Sequence, residues 1–232
     1  MFAPPFFRKE MTMRKNKKRW ILLLLLVALL LTLGMGGLFA YQDHQHAKDK
    51  ETYQKVMKQA AQKQSSISDK PAKRPDPSKT VKVERPTMKD LQAFSQTKAY
   101  QQAIINKIGS ISIPDFELVL PIIQETTNAH LKAGVTTYND TKLGKGNFVL
   151  LGHNMGEQGI LFSDVPTLKK GDALNVTVGT ETKRYQVSKK KVVKYTDGTA
   201  LLPTKNEQLT LITCDKGTAT DYRVVITALP MD

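Results

Sequence analysis

Gln208-Leu209-Thr210-Leu211-Ile212-Thr213-Cys214-Asp215 is the stretch on which the reading of this chain turns. Apolar and hydroxyl residues alternate with period two, the pattern of a strand buried on at least one face. The run ends on Cys214, the single cysteine in 232 residues, so the thiol has no disulfide partner within the chain. A polar loop, residues 216–221, separates it from Tyr222-Arg223-Val224-Val225-Ile226-Thr227-Ala228, which reads as a second strand. Two such runs joined by so short a loop predict an antiparallel hairpin. A register that sets Cys214 opposite Arg223 puts both side chains on one face, and a slip of one residue separates them. A thiol beside a guanidinium favours the thiolate, which is the nucleophilic form.

The chain carries 35 Lys and Arg against 21 Asp and Glu, a net charge of +14. Spread over a folded domain, that excess would point to nucleic acid. It is not so spread. Residues 1–20 hold seven basic residues and one acid, residues 42–107 hold 14 and 7, and residues 108–232 hold 14 and 13. The basic excess belongs to the N-terminal part, and no nucleic-acid partner is expected for the folded part.

Seven of the first 19 residues are basic, and residues 21–41 follow without one side chain ionised at neutral pH. At about 1.5 Å per residue that helix spans roughly 30 Å, a bilayer core. Trp20 and Tyr41 stand at its ends, where interfacial aromatics are expected, and the basic flank predicts an N-terminus on the inside. The apolar run is longer than a signal-peptide core, and Leu38-Phe39-Ala40 is a poor cleavage site, so an uncleaved anchor is the expectation. His44 and His46 lie just past it, with no cluster of metal ligands around them. Residues 42–86 are rich in Gln, Lys and Ala, then in Ser, Pro and Lys, and read as a solvated spacer that builds no core.

Thr87 after Pro86 reads as the N-cap of a helix over residues 88–105. Short apolar runs follow at 108–113, 116–123, 148–151, 173–178, 183–194, 209–213 and 223–229. Asn139-Asp140, Gly144-Lys145-Gly146, Lys170-Gly171-Asp172 and Asp197-Gly198 punctuate them. Strands with turn signals between them predict an all-β barrel or sandwich, and about 145 residues suffice for one core. Lys189-Lys190-Lys191 reads as a solvated strand edge. The division expected is a basic tail (1–20), a transmembrane anchor (21–41), a stalk (42–86) and a β domain (87–232).

Of the remaining histidines, His130 sits in a turn or short helix and reads as a surface residue. His153 directly follows the apolar strand Phe148-Val149-Leu150-Leu151 through Gly152 and precedes Asn154-Met155-Gly156-Glu157-Gln158-Gly159. A histidine at the end of a core strand, beside glycines, can be reached from solvent. Taken alone, His153 reads more readily as structural, Cys214 as a small buried apolar residue and Arg223 as a strand-surface charge. Together, on a domain expected outside the membrane, they suggest nucleophile, acid–base group and cationic donor.

Thr210-Leu211-Ile212-Thr213-Cys214 resembles the TLxTC signature of sortases. Leu151-Gly152-His153-Asn154 followed by Leu161-Phe162-Ser163 is similar to that family's histidine segment, and Arg223 matches the arginine after the cysteine strand. The resemblance covers residues 108–229, and with the N-terminal anchor it is to class A, the housekeeping type. It implies an eight-stranded sortase β-barrel with short helices, preceded by a transmembrane helix and linker. It further implies a transpeptidase of the Gram-positive cell surface that cleaves LPxTG-type signals of surface proteins between Thr and Gly. The Thr is then joined to an amine of the peptidoglycan precursor or cross-bridge.

By the same resemblance Cys214 is the nucleophile, His153 the acid–base group and Arg223 the oxyanion donor. Leu151, Thr213 and Thr199-Ala200-Leu201 would line the peptide groove. No cofactor is implied. Leu151 stands where some members carry alanine, which would reshape the groove. Asn128-Ala129-His130 lacks the acids with which some class A enzymes bind calcium, so no metal requirement is expected. The competing readings are a pilin-polymerising sortase, marked by a lid over the cysteine, and a non-enzymatic tethered β domain with a buried thiol. An L,D-transpeptidase would need a Ser-x-Gly-Cys arrangement that is absent.

Overall fold

The computed structural model describes residues 5–63, 83–138 and 142–231. Four α-helices, α1 (Pro5–Gln62), α2 (Met88–Ser95), α3 (Lys98–Ile105) and α4 (Asn128–Ala133), accompany eight strands. The strands are β1 (Lys107–Ile113), β2 (Leu118–Ile123), β3 (Val135–Thr137), β4 (Asn147–Leu151), β5 (Ala173–Val178), β6 (Glu181–Lys194), β7 (Gln208–Cys214) and β8 (Tyr222–Pro230). They close into a barrel in the order β1-β2-β3-β4-β7-β8-β6-β5. Closure gives every strand a partner on both sides and leaves only short stretches of unpaired edge.

Period-two patterning decides which side chains fill the barrel. Phe148 and Leu150 of β4, Leu209 and Leu211 of β7, and Val224, Ile226 and Ala228 of β8 point inward to one core. The alternate residues face outward, and among them Leu151, Ile212, Cys214 and Arg223 are only partly covered. The expected hairpin forms in the register that pairs Cys214 with Arg223. β7 also runs parallel to β4, from Asn147↔Gln208 to Leu151↔Ile212.

All seven strands read from sequence are present; β3 was not foreseen. Its three residues are buried on both faces, so no alternation marks them. The single helix expected over 88–105 is two. Thr97 interrupts it, its hydroxyl accepting from the Tyr100 N–H at 3.1 Å to cap α3. Thr87 caps α2 as expected, completing a capping box with Asp90. Lys189, Lys190 and Lys191 pair only with β8, because β5 pairs with β6 no further than Gln186. They form the solvated edge anticipated for them. The Asn139-Asp140 turn signal and the Ser- and Pro-rich part of the spacer, residues 64–82, lie outside the described residues.

Two compact units divide the chain, 1–48 and 49–232. In the first, the large apolar residues from Trp20 to Tyr41 are exposed on one long helix, apolar enough to cross a membrane. In the second, the end of α1 departs from the expectation that residues 42–86 build no core. Tyr53, Met57 and Ala60 belong to the hydrophobic core, with Tyr53 1% exposed. Their spacing at i, i+4 and i+7 forms one helical stripe. The Tyr53 hydroxyl donates to the Lys132 carbonyl at 2.8 Å, and the Gln54 amide to the Gly159 carbonyl at 3.2 Å. Lys107, 3% exposed, donates its ammonium to the carbonyls of Ala61 and Lys63. A cation there satisfies carbonyls a helix C-terminus leaves open; burial pushes the Lys107 pKa down.

Tyr53→Ala should therefore cost about 3–5 kcal/mol, as large-to-small core substitutions do. Chemical denaturation of the detergent-solubilised protein measures it. A solvated spacer would lose less than about 0.5 kcal/mol.

Candidate active site

The outward-facing rows of β4, β7 and β8 meet at one end of the barrel. Cys214 closes β7, half-buried and reduced, and Arg223 stands directly opposite it near the start of β8. His153 lies two residues beyond β4. Its backbone is held beside Cys214 from both sides. The Gly152 N–H donates to the Ile212 carbonyl at 3.2 Å, and the Asn154 side-chain amide donates to the Cys214 carbonyl at 2.9 Å. The His153 carbonyl in turn accepts from the Phe162 N–H at 2.9 Å. Gly152 is required here, because a Cβ would stand 2.7 Å from the Phe162 ring.

His153 is 8% exposed, and its Nε2 is buried without a hydrogen-bond partner. Burial, reinforced by the charges of Lys132 and Arg85 and opposed by Glu84, lowers its pKa from 6.5 to about 4. The imidazole is thus neutral at pH 7, with a nitrogen available to accept a proton. The Arg223 guanidinium donates through Nη1 to the carbonyls of Tyr222 (2.9 Å) and Thr220 (3.3 Å). Its central carbon lies 5.9 Å from the centre of the Tyr195 ring.

Leu151 and Ile212, paired across β4 and β7, are half-buried and form a floor leading away from the cysteine. At the far end of that floor the loop between β6 and β7 crosses the outer face. Asn147 donates its side-chain amide to the carbonyls of Ala200 and Leu202, each at 2.9 Å. Its Oδ1 accepts from Thr210 at 2.6 Å and Gln208 at 3.1 Å. Asp197 accepts from the Thr199 backbone and hydroxyl at 3.0 and 2.6 Å. Thr199-Ala200-Leu201 therefore stands nearer Asn147 than Cys214, on the order of 20 Å along β7 at about 3.3 Å per residue. An extended four-residue peptide attached at Cys214 spans roughly 13 Å, so its distal end stops short of Asn147, and these residues lie beyond it.

Thr213 does not face the groove. It is 2% exposed, and its hydroxyl donates to the Gly152 carbonyl at 2.8 Å. The alternation that turns Cys214 outward turns Thr213 inward, where it ties β7 to the histidine segment. His130 is likewise not a surface residue. It is 9% exposed, with Nδ1 bonded to the Glu125 carbonyl at 2.8 Å and Nε2 to the Asn106 amide at 3.4 Å. Asn147 and Tyr195 escaped the sequence reading, and Asn154 entered it only as part of the histidine segment, with no role of its own. Asn154 alone carried a local signal, its place beside His153.

The depressed pKa of His153 links proton binding to folding. Between pH 6.5 and about 4 the unfolded chain binds the proton that the folded chain excludes. Stability contributed by the neutral, buried ring is complete above pH 6.5 and is lost as pH falls through this window. Denaturant titrations from pH 7 to pH 4 should show a loss of about 3 kcal/mol from this group. His153→Gln should lack that component.

With this geometry in hand, similarity to known proteins becomes informative. A family model described as the sortase domain matches residues 111–231. Sortase A of Listeria monocytogenes is 38% identical over 119 residues, 51% of this chain and 54% of that protein. Sortase A of Bacillus anthracis is 37% identical over 108 residues, 46% of this chain and 51% of that protein. The chain thus spans about half the length of these curated relatives. The solved sortase A of Listeria monocytogenes superposes with a TM-score of 0.53 at 35% identity, covering 55% of this chain and 88% of that one. Sortase C1 of Streptococcus agalactiae gives 0.51 at 26% identity, covering 63% and 78%. A closed eight-stranded barrel with a cysteine and an arginine paired across its last hairpin, matched over more than half the chain by the sortase-domain family, places this protein in the sortase family.

Proposed function

We propose that the protein is a membrane-anchored cysteine transpeptidase of the class A type. It cleaves an LPxTG-type signal between Thr and Gly and transfers the Thr to an amine of the cell-wall precursor or cross-bridge. The observation that carries the reading is the register pairing Cys214 with Arg223 while the Gly152 and Asn154 bonds hold His153 alongside.

Cys214 Sγ attacks the Thr carbonyl carbon and its proton passes to His153, which is neutral and therefore able to accept it. The carbonyl electrons move onto oxygen, where the Arg223 guanidinium supplies fixed donors. Collapse breaks the C–N bond, and the departing glycine amine takes the proton from His153. The acyl group is left as a thioester on Cys214. An incoming amine attacks that carbon and gives its proton to His153. Collapse then forms the new amide and expels sulfur, which recovers the proton. Leu151 and Ile212 provide apolar surface for the residues before the Thr, and Thr199, Ala200 and Leu201 the outer limit of that groove.

The N-terminal helix serves as the anchor, with the basic tail inside the cell, residues 21–41 in the bilayer and the barrel outside. Tethering raises the effective concentration of membrane-bound acceptor and of surface proteins awaiting attachment. Greater identity to sortase A of Listeria monocytogenes, 35%, than to sortase C1 of Streptococcus agalactiae, 26%, supports the class A reading over the pilin-polymerising one.

Incubating the protein with an LPxTG peptide and a glycine-based amine should yield the ligated product. Cys214→Ala should abolish it. Arg223→Lys should lower kcat by roughly 100-fold, since a point ammonium does not reproduce the planar fork. Ligation that survives Cys214→Ala would sink the proposal.

A further inference from the structure

β6 and β8 pair through Val193↔Arg223 and Lys194↔Tyr222. The Tyr195 N–H continues the ladder one step, donating to the Asp221 carbonyl at 2.7 Å. Tyr195 therefore stands two residues beyond Val193, a diagonal cross-strand neighbour of Arg223 on the outer face. Cys214 is the direct neighbour of Arg223 on its other side. Arg223 is thus flanked in register by Cys214 on β7, while its guanidinium meets the Tyr195 ring on the β6 side.

Tyr195 is 61% exposed, so the core does not explain its place. Its ring lies 5.9 Å from the guanidinium carbon, within the range at which a cation is drawn to an aromatic face. Nη1 of Arg223 is engaged by the carbonyls of Thr220 and Tyr222. These bonds use one nitrogen of a planar group with five N–H donors. An arginine at a strand end otherwise samples many rotamers, and donors that must be ordered during the reaction stabilise an oxyanion less than donors already in place.

We infer that Tyr195 is a positioning residue: its ring holds the Arg223 guanidinium at the start of β8 so that the remaining donors meet the acyl oxygen on Cys214. The inference rests on the acyl-transfer reading above. It predicts that the ring, and not the hydroxyl, is what matters at position 195.

The test follows single-turnover acylation of Cys214 by an LPxTG peptide, read by mass spectrometry on the full chain in detergent. Tyr195→Leu and Tyr195→Ala should each slow acylation about five-fold, the loss of an exposed cation–π contact. Peptide affinity and the thermal midpoint should stay unchanged. Tyr195→Phe should keep the wild-type rate. In an Arg223→Ala background, Tyr195→Ala should slow acylation no further, because the residue acts through the guanidinium. A wild-type rate in Tyr195→Leu, a slow Tyr195→Phe, a fall in thermal midpoint matching the loss of rate, or an additive effect with Arg223→Ala would each overturn the assignment. Failure of the underlying reading looks different: Cys214→Ala would still ligate peptide to amine, whatever stands at position 195.

Discussion

β7 is hydrogen-bonded on both flanks, parallel to β4 as far as Leu151↔Ile212 and antiparallel to β8 as far as Cys214↔Arg223. The site depends on this double pairing. Because a strand's side chains alternate, one register decision fixes both what fills the barrel and what faces the groove. Sliding β8 by one residue would bury Arg223 and expose Val224. Inward placement of Leu209, Leu211, Val224 and Ile226 makes that slip costly, since each is buried in the core. The core thus enforces the alignment of the chemistry outside it.

Polar groups that the barrel buries serve the same end. The Thr213 hydroxyl and the Asn154 amide bind β7 to the turn after β4, so the imidazole's position is inherited from the sheet rather than from a loose loop. Removing His153 from water disfavours its charged form and leaves the ring neutral at pH 7. Asn147 plays the corresponding part at the other end, fastening the loop between β6 and β7 across the outer face.

The end of α1 shows how a segment of polar composition can belong to a core. Only Tyr53, Met57 and the two alanines Ala60 and Ala61 are buried along a stretch otherwise rich in Gln and Lys. They suffice because the helix is also tied by Gln54 and by Lys107 at its last carbonyls. A buried ammonium is tolerable where it meets carbonyls that would otherwise lack partners.

Local pattern carried a great deal in this chain. Alternation and short apolar runs between turn signals revealed seven strands, a long uncharged run revealed the helix able to span a membrane, and the residues around Cys214 and His153 carried the family resemblance. Each is a property of neighbours in sequence, where periodicity and side-chain chemistry act directly. The β7–β8 register itself was left open until the strands paired. What lay beyond was decided by contacts distant in sequence. Whether Tyr53 is solvated depends on surfaces more than seventy residues away, the Lys132 carbonyl among them, whereas the Thr97 cap and the inward turn of Thr213 are local features that the reading passed over. The contact of Tyr195 with Arg223 is of the former kind: the two are brought within reach by the β6–β8 pairing, and a strand pairing is a property of the closed barrel, not of either strand.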